Sequence, residues 1–420
     1  MIQLIRGFKD ILPGEVERWQ TVEKTAVAVF ENFGFKEIRI PIMERTELFA
    51  RSIGEATDIV EKEMYTLADR KGDKITLRPE ATASVVRAYV QHKLYAPDPV
   101  KKYYTIGPMF RRERPQRGRY RQFYQINAEI FGVASPRMDA QLIYMLEMFL
   151  TRLSVVDRCV RINSLGCPAC RPGYKEALLT HTANVVDQLC ADCKRRREQN
   201  PLRVLDCKVP SCREAVVGAP LLQDHLCSDC IQHFGVVRDS LEELEVAYEI
   251  DQRLVRGLDY YSRTIFEIQT SALGAQSAIA GGGRYDGLIQ ALGGPKMPAV
   301  GFAIGLDRLV ELIQFNETKQ HGSVDLFVAA LGEKSQRIAL TWASKLSNEG
   351  VRTELDLSGK SLKSLMKRAN RMGAARVMIA GDAELAQEAV IVRNMATKEQ
   401  VSVPFGNLIA DIKQRVVDGA

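Results

Sequence analysis

Phe110-Arg-Arg-Glu-Arg-Pro-Gln-Arg-Gly-Arg-Tyr-Arg-Gln-Phe-Tyr-Gln-Ile-Asn-Ala-Glu-Ile-Phe131 is the stretch whose reading decides the fold. Its second half alternates. Successive side chains of an extended chain point to opposite sides, which puts Phe123, Gln125, Asn127, Glu129 and Phe131 on one face and Tyr124, Ile126, Ala128 and Ile130 on the other. The second face is fit for burial, and the first is a polar row bracketed by aromatics. A polar row alone is ordinarily a solvent-facing surface. The loop before it adds Arg111, Arg112, Arg114, Arg117, Arg119 and Arg121 around Glu113. Guanidinium forks bind phosphate oxygens in pairs and keep their charge near neutral pH, so the loop suits a polyphosphate or an RNA end. A solvated basic hairpin competes with that reading, because charge runs are weak motifs. Residues 101–133 together read as a long antiparallel hairpin.

Upstream, Val16, Trp19, Val22, Ala26, Val27, Phe30 and Phe33 recur at steps of three and four, which predicts an amphipathic helix over 16–33 ended by Gly34. The alternating run 35–40 predicts a half-buried strand, and Pro41, lacking an N–H, stops its pairing. Downstream, a cysteine-rich, helix-like stretch covers roughly 166–240, and strand patterning resumes at 264–268. This return of strands predicts an insertion within one domain spanning 1–322. The polar segment 315–323 reads as a linker. After it, strands at 324–331, 351–357 and 375–380 alternate with helices at 335–349 and 361–372. That order predicts a small, mainly parallel α/β domain over 323–420.

Composition narrows the class without naming it. A chain of 420 residues exceeds what one core usually serves. Its 46% hydrophobic and 26% charged fractions are those of an ordinary water-soluble protein, and the net charge of +6 permits a polyanionic partner without requiring one. The opening residues do not read as a secretory signal, and no apolar run is long enough to span a bilayer. The expectation is a cytoplasmic protein with no membrane partner, in which cysteines stay reduced. Eight of the nine cysteines then read as metal ligands: Cys167 and Cys170, Cys190 and Cys193, Cys207 and Cys212, Cys227 and Cys230. Three C-x₂-C pairs and one C-x₄-C are a strong signal for two closed Cys₄ sites, with structural zinc favoured over an iron–sulfur cluster. Cys159 stands alone and reads as a small core residue.

Further stretches join the hairpin in a recognisable order. Phe110-Arg-Arg-Glu113 with its basic loop and second strand resembles motif 2 of the class II aminoacyl-tRNA synthetases, and the helix and strand ending at Pro41 resemble motif 1, the family's dimer element. Gly301-Phe-Ala-Ile-Gly-Leu-Asp-Arg308 resembles motif 3. Leu254-Val-Arg-Gly-Leu-Asp-Tyr-Tyr261 and Ala280-Gly-Gly-Gly-Arg-Tyr-Asp-Gly-Leu288 are similar to the pair peculiar to histidyl enzymes and their close paralogues, and 6–13 and 77–82 also fit. The resemblance runs along essentially the whole chain apart from the cysteine-rich insertion. The triple glycine 281–283 is not a dinucleotide fingerprint, since Asp286 stands where the last glycine would be. A backbone surface beneath a small substrate is preferred to a tightly packed turn.

The resemblance implies an α+β protein: an antiparallel-sheet class II synthetase catalytic domain with an inserted helical subdomain, then a C-terminal α/β anticodon-binding domain. It implies a homodimeric histidine–tRNA ligase that makes histidyl-adenylate from L-histidine and ATP with Mg²⁺ and passes it to tRNA(His). A noncatalytic regulatory subunit of ATP phosphoribosyltransferase is the alternative. By the same resemblance Arg111 contacts the α-phosphate and the histidine carboxylate, with Arg256 opposite it. Glu113 and Phe123 hold adenine, and Arg308 holds the γ-phosphate. Glu80, Ala81, Thr82 and Gln125 surround the amino group, while Glu129, Tyr260, Tyr261 and Tyr285 surround the imidazole. A helix dipole at Glu80 is expected to keep that carboxylate ionised. A surface ion pair with Asp259 is the competing reading of Arg256. In the C-terminal domain Lys360, Lys363, Lys367 and Arg371 share a helical face suited to tRNA backbone. None of the five histidines falls in a matching motif.

Overall fold

The computed structural model describes residues 1–55, 57–116, 118–273, 278–313 and 324–417. Arg117, His321 and the expected linker at 315–323 therefore lie outside the described residues. The chain divides into two compact units, Met1–Phe315 and Asn316–Ala420.

The first unit is built on an eight-stranded sheet in the order Lys36–Glu37, Lys101–Phe110, Gln122–Phe131, Ala299–Gly305, Ala278–Arg284, Ser262–Gln269, Cys159–Ser164, Tyr248–Ile250. Every interior pair is antiparallel; only the two edge strands run parallel to their neighbours. One face packs on the helices Val16–Asn32, Pro136–Arg152 and Ser228–Glu243, and this is where Ile126, Ala128 and Ile130 go, with Phe30, Phe149, Phe234 and Phe302. The opposite face packs around the helix Thr82–Gln91, with Val85, Tyr89, Phe131 and Tyr285. Both faces of the hairpin's second strand are thus buried, so the polar row looks into the protein and not into solvent. A small antiparallel sheet of Met43–Arg45, Lys74–Leu77 and Tyr65–Ala68 stands beside it.

Three expectations change on folding. The strand expected at 35–40 pairs only over Lys36–Glu37, because the chain leaves the ladder before Pro41. Gly34 takes a φ of +80°, which lets Phe35 N–H return to the Phe30 carbonyl and close the first helix. The insertion is shorter than 166–240: Phe234, Val237 and Leu241 of the helix Ser228–Glu243 belong to the main core, while Tyr174, Leu178, Cys193, Val204 and Leu222 form a separate small core. Cys159 is only half-buried at the start of its strand, so it is not a full core residue.

The second unit is a five-stranded sheet in the order Thr353–Asp356, Leu326–Ala330, Arg376–Ala380, Ala389–Asn394, Gln400–Pro404. The first three strands are parallel, as the strand–helix alternation predicts, and the last two add an antiparallel hairpin. The helices Glu333–Asn348, Leu362–Arg371 and Leu408–Val417 cover it. Lys360, Lys363, Lys367 and Arg371 are exposed, whereas Leu365 and Ala369 are buried.

Candidate active site

Glu80 and the helix after it define one wall. The Thr82 and Ala83 N–H groups donate to the Glu80 carboxylate at 2.7 and 2.8 Å, so it caps the helix Thr82–Gln91. Burial nevertheless pushes the Glu80 pKa up, and these bonds offset that only in part, so the helix end alone does not set its charge. Thr82 Oγ1 donates to Glu129 Oε1 at 2.7 Å, and the Tyr285 hydroxyl donates to the other Glu129 oxygen. Burial pushes the Glu129 carboxyl up to about 8. Gly301 lies opposite Glu129 in the sheet, and a Cβ there would stand 1.7 Å from Glu129 Oε2, so the glycine is what makes room for the carboxylate.

From Glu129 a line of rings leads to Arg256. Tyr260 packs on Tyr285 at 5.5 Å between centroids and on Tyr261 at 4.6 Å, and the Arg256 guanidinium lies 5.9 Å from the Tyr261 ring centre. Arg256 Nη1 pairs with Glu267 at 2.6 Å, while Asp259 accepts from Asn200 Nδ2 at 2.8 Å. The surface pair with Asp259 is therefore excluded. The triple glycine also needs correction. A Cβ on Gly281 would meet Arg256 Nη1 at 2.4 Å, and one on Gly282 would meet the Gly301 carbonyl at 2.3 Å. Gly281 makes way for a guanidinium and Gly282 for close strand packing, so the first is covered by the protein's own arginine.

The hairpin supplies the remaining wall. Arg111 Nε donates to the Pro79 carbonyl at 2.9 Å, and its guanidinium stands 5.3 Å from the Phe123 ring centre and 3.7 Å from Glu113. Glu113 also pairs with Arg119 at 2.9 Å. Arg308 donates to the Gly118 and Ala278 carbonyls at 3.1 and 2.9 Å, tying the motif 3 helix to the hairpin tip. Burial lowers its pKa, and it feels the charges of Arg119, Glu113, Arg111 and Glu267. Arg308 thus stands within electrostatic reach of Arg111 and of Glu267, the partner of Arg256. Gln125 is nine-tenths buried with its Oε1 lacking a hydrogen-bond partner among the described residues. Sequence reasoning missed Glu267, although a lone acid at an alternate position of the apolar strand 264–268 was a signal for it.

The cysteines sort into two groups, Cys167, Cys170, Cys227, Cys230 and Cys190, Cys193, Cys207, Cys212, with all sulfurs of a group within 4.8 Å of one another. The nesting, first pair with last, is not readable from spacing. Separations of 3.6 and 3.9 Å in the first group and 4.0 Å in the second suit a tetrahedral ion, whose metal–sulfur bonds of about 2.3 Å place sulfurs about 3.8 Å apart. Backbone N–H groups of Cys190 and Cys227 donate to Cys212 and Cys170 sulfurs at 3.1 and 3.2 Å, as thiolate ligands require.

An antiparallel sheet carrying an arginine-rich hairpin and a glycine strand that runs into an arginine-bearing helix defines a class II aminoacyl-tRNA synthetase. The histidyl-tRNA synthetase family model matches residues 7–167 and 174–309, and an anticodon binding domain model matches 325–415. The chain is 60% identical over 97% of its length to a histidine–tRNA ligase of Desulfatibacillum aliphaticivorans, also covering 97% of that protein, and 54% identical over 96% to that of Geobacter sulfurreducens, covering 98% of it. The apo histidyl-tRNA synthetase of S. aureus superposes with a TM-score of 0.83 at 33% identity, over 98% of this chain and all of that one. The chain belongs to the histidyl-tRNA synthetase family.

Proposed function

We infer that this chain is a histidine–tRNA ligase, which activates L-histidine with ATP and transfers it to the 3′-terminal adenosine of tRNA(His). The observation that carries the reading is a buried carboxylate, Glu129, set between a threonine and tyrosine hydroxyl and joined through edge-on and tilted tyrosine rings to an arginine over a glycine floor. Full-length relatives and the anticodon-binding match at 325–415 favour it over a regulatory subunit.

In the proposed reaction the histidine carboxylate attacks the α-phosphorus and pyrophosphate leaves. Positioning and electrostatics carry such a step. Arg111 and Arg256 flank the phosphorus; Arg256 Nε is buried without a hydrogen-bond partner among the described residues and is free to donate. Glu113 and Phe123 hold adenine, Arg308 the γ-phosphate, and Mg²⁺ enters with the nucleotide. Glu80, Ala81, Thr82 and the open Gln125 oxygen receive the ammonium group. Glu129, Tyr261 and Tyr285, with Tyr260 beside them, pair with the imidazole, whose two nitrogens demand partners at opposite edges. A ligand lacking those nitrogens leaves buried polar groups unpaired and is rejected.

The two tetrathiolate groups fit structural zinc, held by all eight cysteines. The exposed Ile42 and Met43 beside the motif 1 strand support a homodimer formed through that element. A cytoplasmic setting, where thiols stay reduced, completes the reading, and among the described residues no helix is long and apolar enough to cross a membrane. The test is ATP–pyrophosphate exchange with each amino acid in turn. Exchange with histidine alone is expected; exchange with another amino acid, or with none, overturns the assignment.

A further inference from the structure

Beside its contacts with Glu61, Lys62 and Gln252, the insertion meets the segment that carries Arg256. Asn200 Nδ2 donates to Asp259 Oδ1 at 2.8 Å, and Arg171 Nη2 donates to the Tyr261 carbonyl. Arg203 is nine-tenths buried, and a Cβ on Gly257 would come within 3.2 Å of its Nη1, so its guanidinium lies on the backbone next to Arg256. From the other side, Asp259 N–H bonds to the Ile53 carbonyl at 3.0 Å, and Asp58 accepts ion pairs from Arg196 and Arg203, the latter at 3.6 Å. Residues 254–261 are gripped between the insertion and the 53–63 region, and the grip encloses a cavity of about 290 Å³ lined in part by Arg171, Asn200, Arg203, Arg256, Asp259 and Tyr261.

Each gripping residue stands close in sequence to a cysteine. Arg171 follows Cys170; Arg196, Asn200 and Arg203 lie between Cys193 and Cys207. The group formed by Cys167, Cys170, Cys227 and Cys230 sits at the root of the insertion, since Cys230 is on the helix Ser228–Glu243 that packs on the main core. The other group lies within the insertion's own small core. That core joins short elements: the helix Ala191–Gln199, a turn of 3₁₀ helix at Pro201–Val204 and the helix Pro210–Ala215. So few apolar residues stabilise such short pieces weakly without a cross-link or a metal.

We propose that the insertion is a two-pinned clamp on the Arg256 segment: two tetrathiolate zinc centres hold Arg171, Asn200 and Arg203 as positioning residues that set where Arg256, Tyr260 and Tyr261 stand. The proposal rests on the histidine-activation and zinc readings above. A guanidinium placed for charge that develops in the transition state loses much of its effect when displaced by about 1 Å. The clamp thereby makes histidine use depend on elements that touch neither substrate. ATP's adenine, assigned to the hairpin, lies outside its grip.

The test uses the full-length enzyme, Asn200→Ala, Arg203→Lys and zinc-depleted wild type. Metal analysis of the wild type and of Asn200→Ala is expected to give two zinc ions per chain in both. In exchange assays Asn200→Ala should lower kcat/KM for histidine at least ten-fold while the KM for ATP moves less than two-fold and the melting temperature holds. Arg203→Lys, which keeps the charge but not the fork, should shift the same way. Removing zinc should reproduce this split, and returning it should restore the wild-type values. A kcat/KM for histidine within two-fold of wild type in Asn200→Ala overturns the clamp, as does a KM for ATP that moves more than two-fold. Zinc-depleted wild type that keeps the wild-type values for both substrates removes the pins and overturns the clamp. A wild type that exchanges with no amino acid overturns the activation reading instead.

Discussion

At the scale of the residue, Glu129 sets a pH signature. Burial pushes its carboxyl up to about 8, so near neutral pH it holds a proton before the ligand arrives. Free imidazole titrates near about 6.5. A buried pair carrying one proton in total is favoured over one carrying two or none, because either alternative leaves net charge away from water. Below about 6.5 histidine binding must release a proton, and above about 8 it must take one up. Histidine affinity is therefore expected to rise with pH through the first value and fall through the second. Calorimetry in buffers of different ionisation heat checks both limbs, and Glu129→Gln should abolish the alkaline one. The same shift has a stability sign: between about 4.5 and 8 the folded chain binds more protons than the unfolded one, so ligand-free stability should decline as pH rises across that window. Arg256→Ala should slow exchange by about two to three decades, or roughly 3–4 kcal/mol, with the fold retained. Gln269 Nε2, 2.6 Å from Glu267, keeps that carboxylate partnered. Arg111 and Glu129 stood out in the sequence because a period-two strand and a dense basic loop are local signals, whereas Arg256 and Arg308 were reached only through the family resemblance. Glu267 was not singled out, since its meaning depends on a guanidinium that arrives from a different segment.

At the scale of the element, adjacent glycines of the strand Ala278–Arg284 do different work. Gly282→Ala would force a methyl against the Gly301 carbonyl at 2.3 Å and the Phe266 and Phe302 side chains at 2.7 Å, in a wholly packed layer. A loss of about 1–3 kcal/mol or more in stability is expected, read as a fall in denaturation midpoint. Gly281→Ala meets the end of the Arg256 side chain first, so it should leave the midpoint nearly unchanged and lower exchange at least ten-fold through displacement of that arginine. Equal midpoints for the two variants would contradict this assignment of faces. The hairpin, the first helix and the three parallel strands of the second unit were legible because each carries its own periodicity. The hairpin Ala389–Asn394 with Gln400–Pro404 and the small sheet at 43–77 were not, because short strands acquire their definition from partners.

At the scale of the whole molecule, the exposed stripe Lys360, Lys363, Lys367 and Arg371 is expected to contact tRNA backbone. Lys363→Ala with Lys367→Ala should weaken tRNA affinity and flatten its logarithmic salt dependence by about 0.7–0.9 for each phosphate that the variant no longer neutralises. Filter binding at several salt concentrations measures the slope, and an unchanged slope would assign the stripe to solvent. By itself the sequence determined the central hairpin, the first helix, the three parallel strands of the second unit and the close pairing of eight cysteines, since all of these are written in spacing and residue type along one line. Only the tertiary structure decided that the polar row of 123–131 faces inward, that the outer and inner cysteine pairs nest into separate groups, and that Arg256 lies on Gly281 beside Glu267. Those facts concern distances between segments far apart in the chain, and periodicity carries no information about which buried surfaces meet.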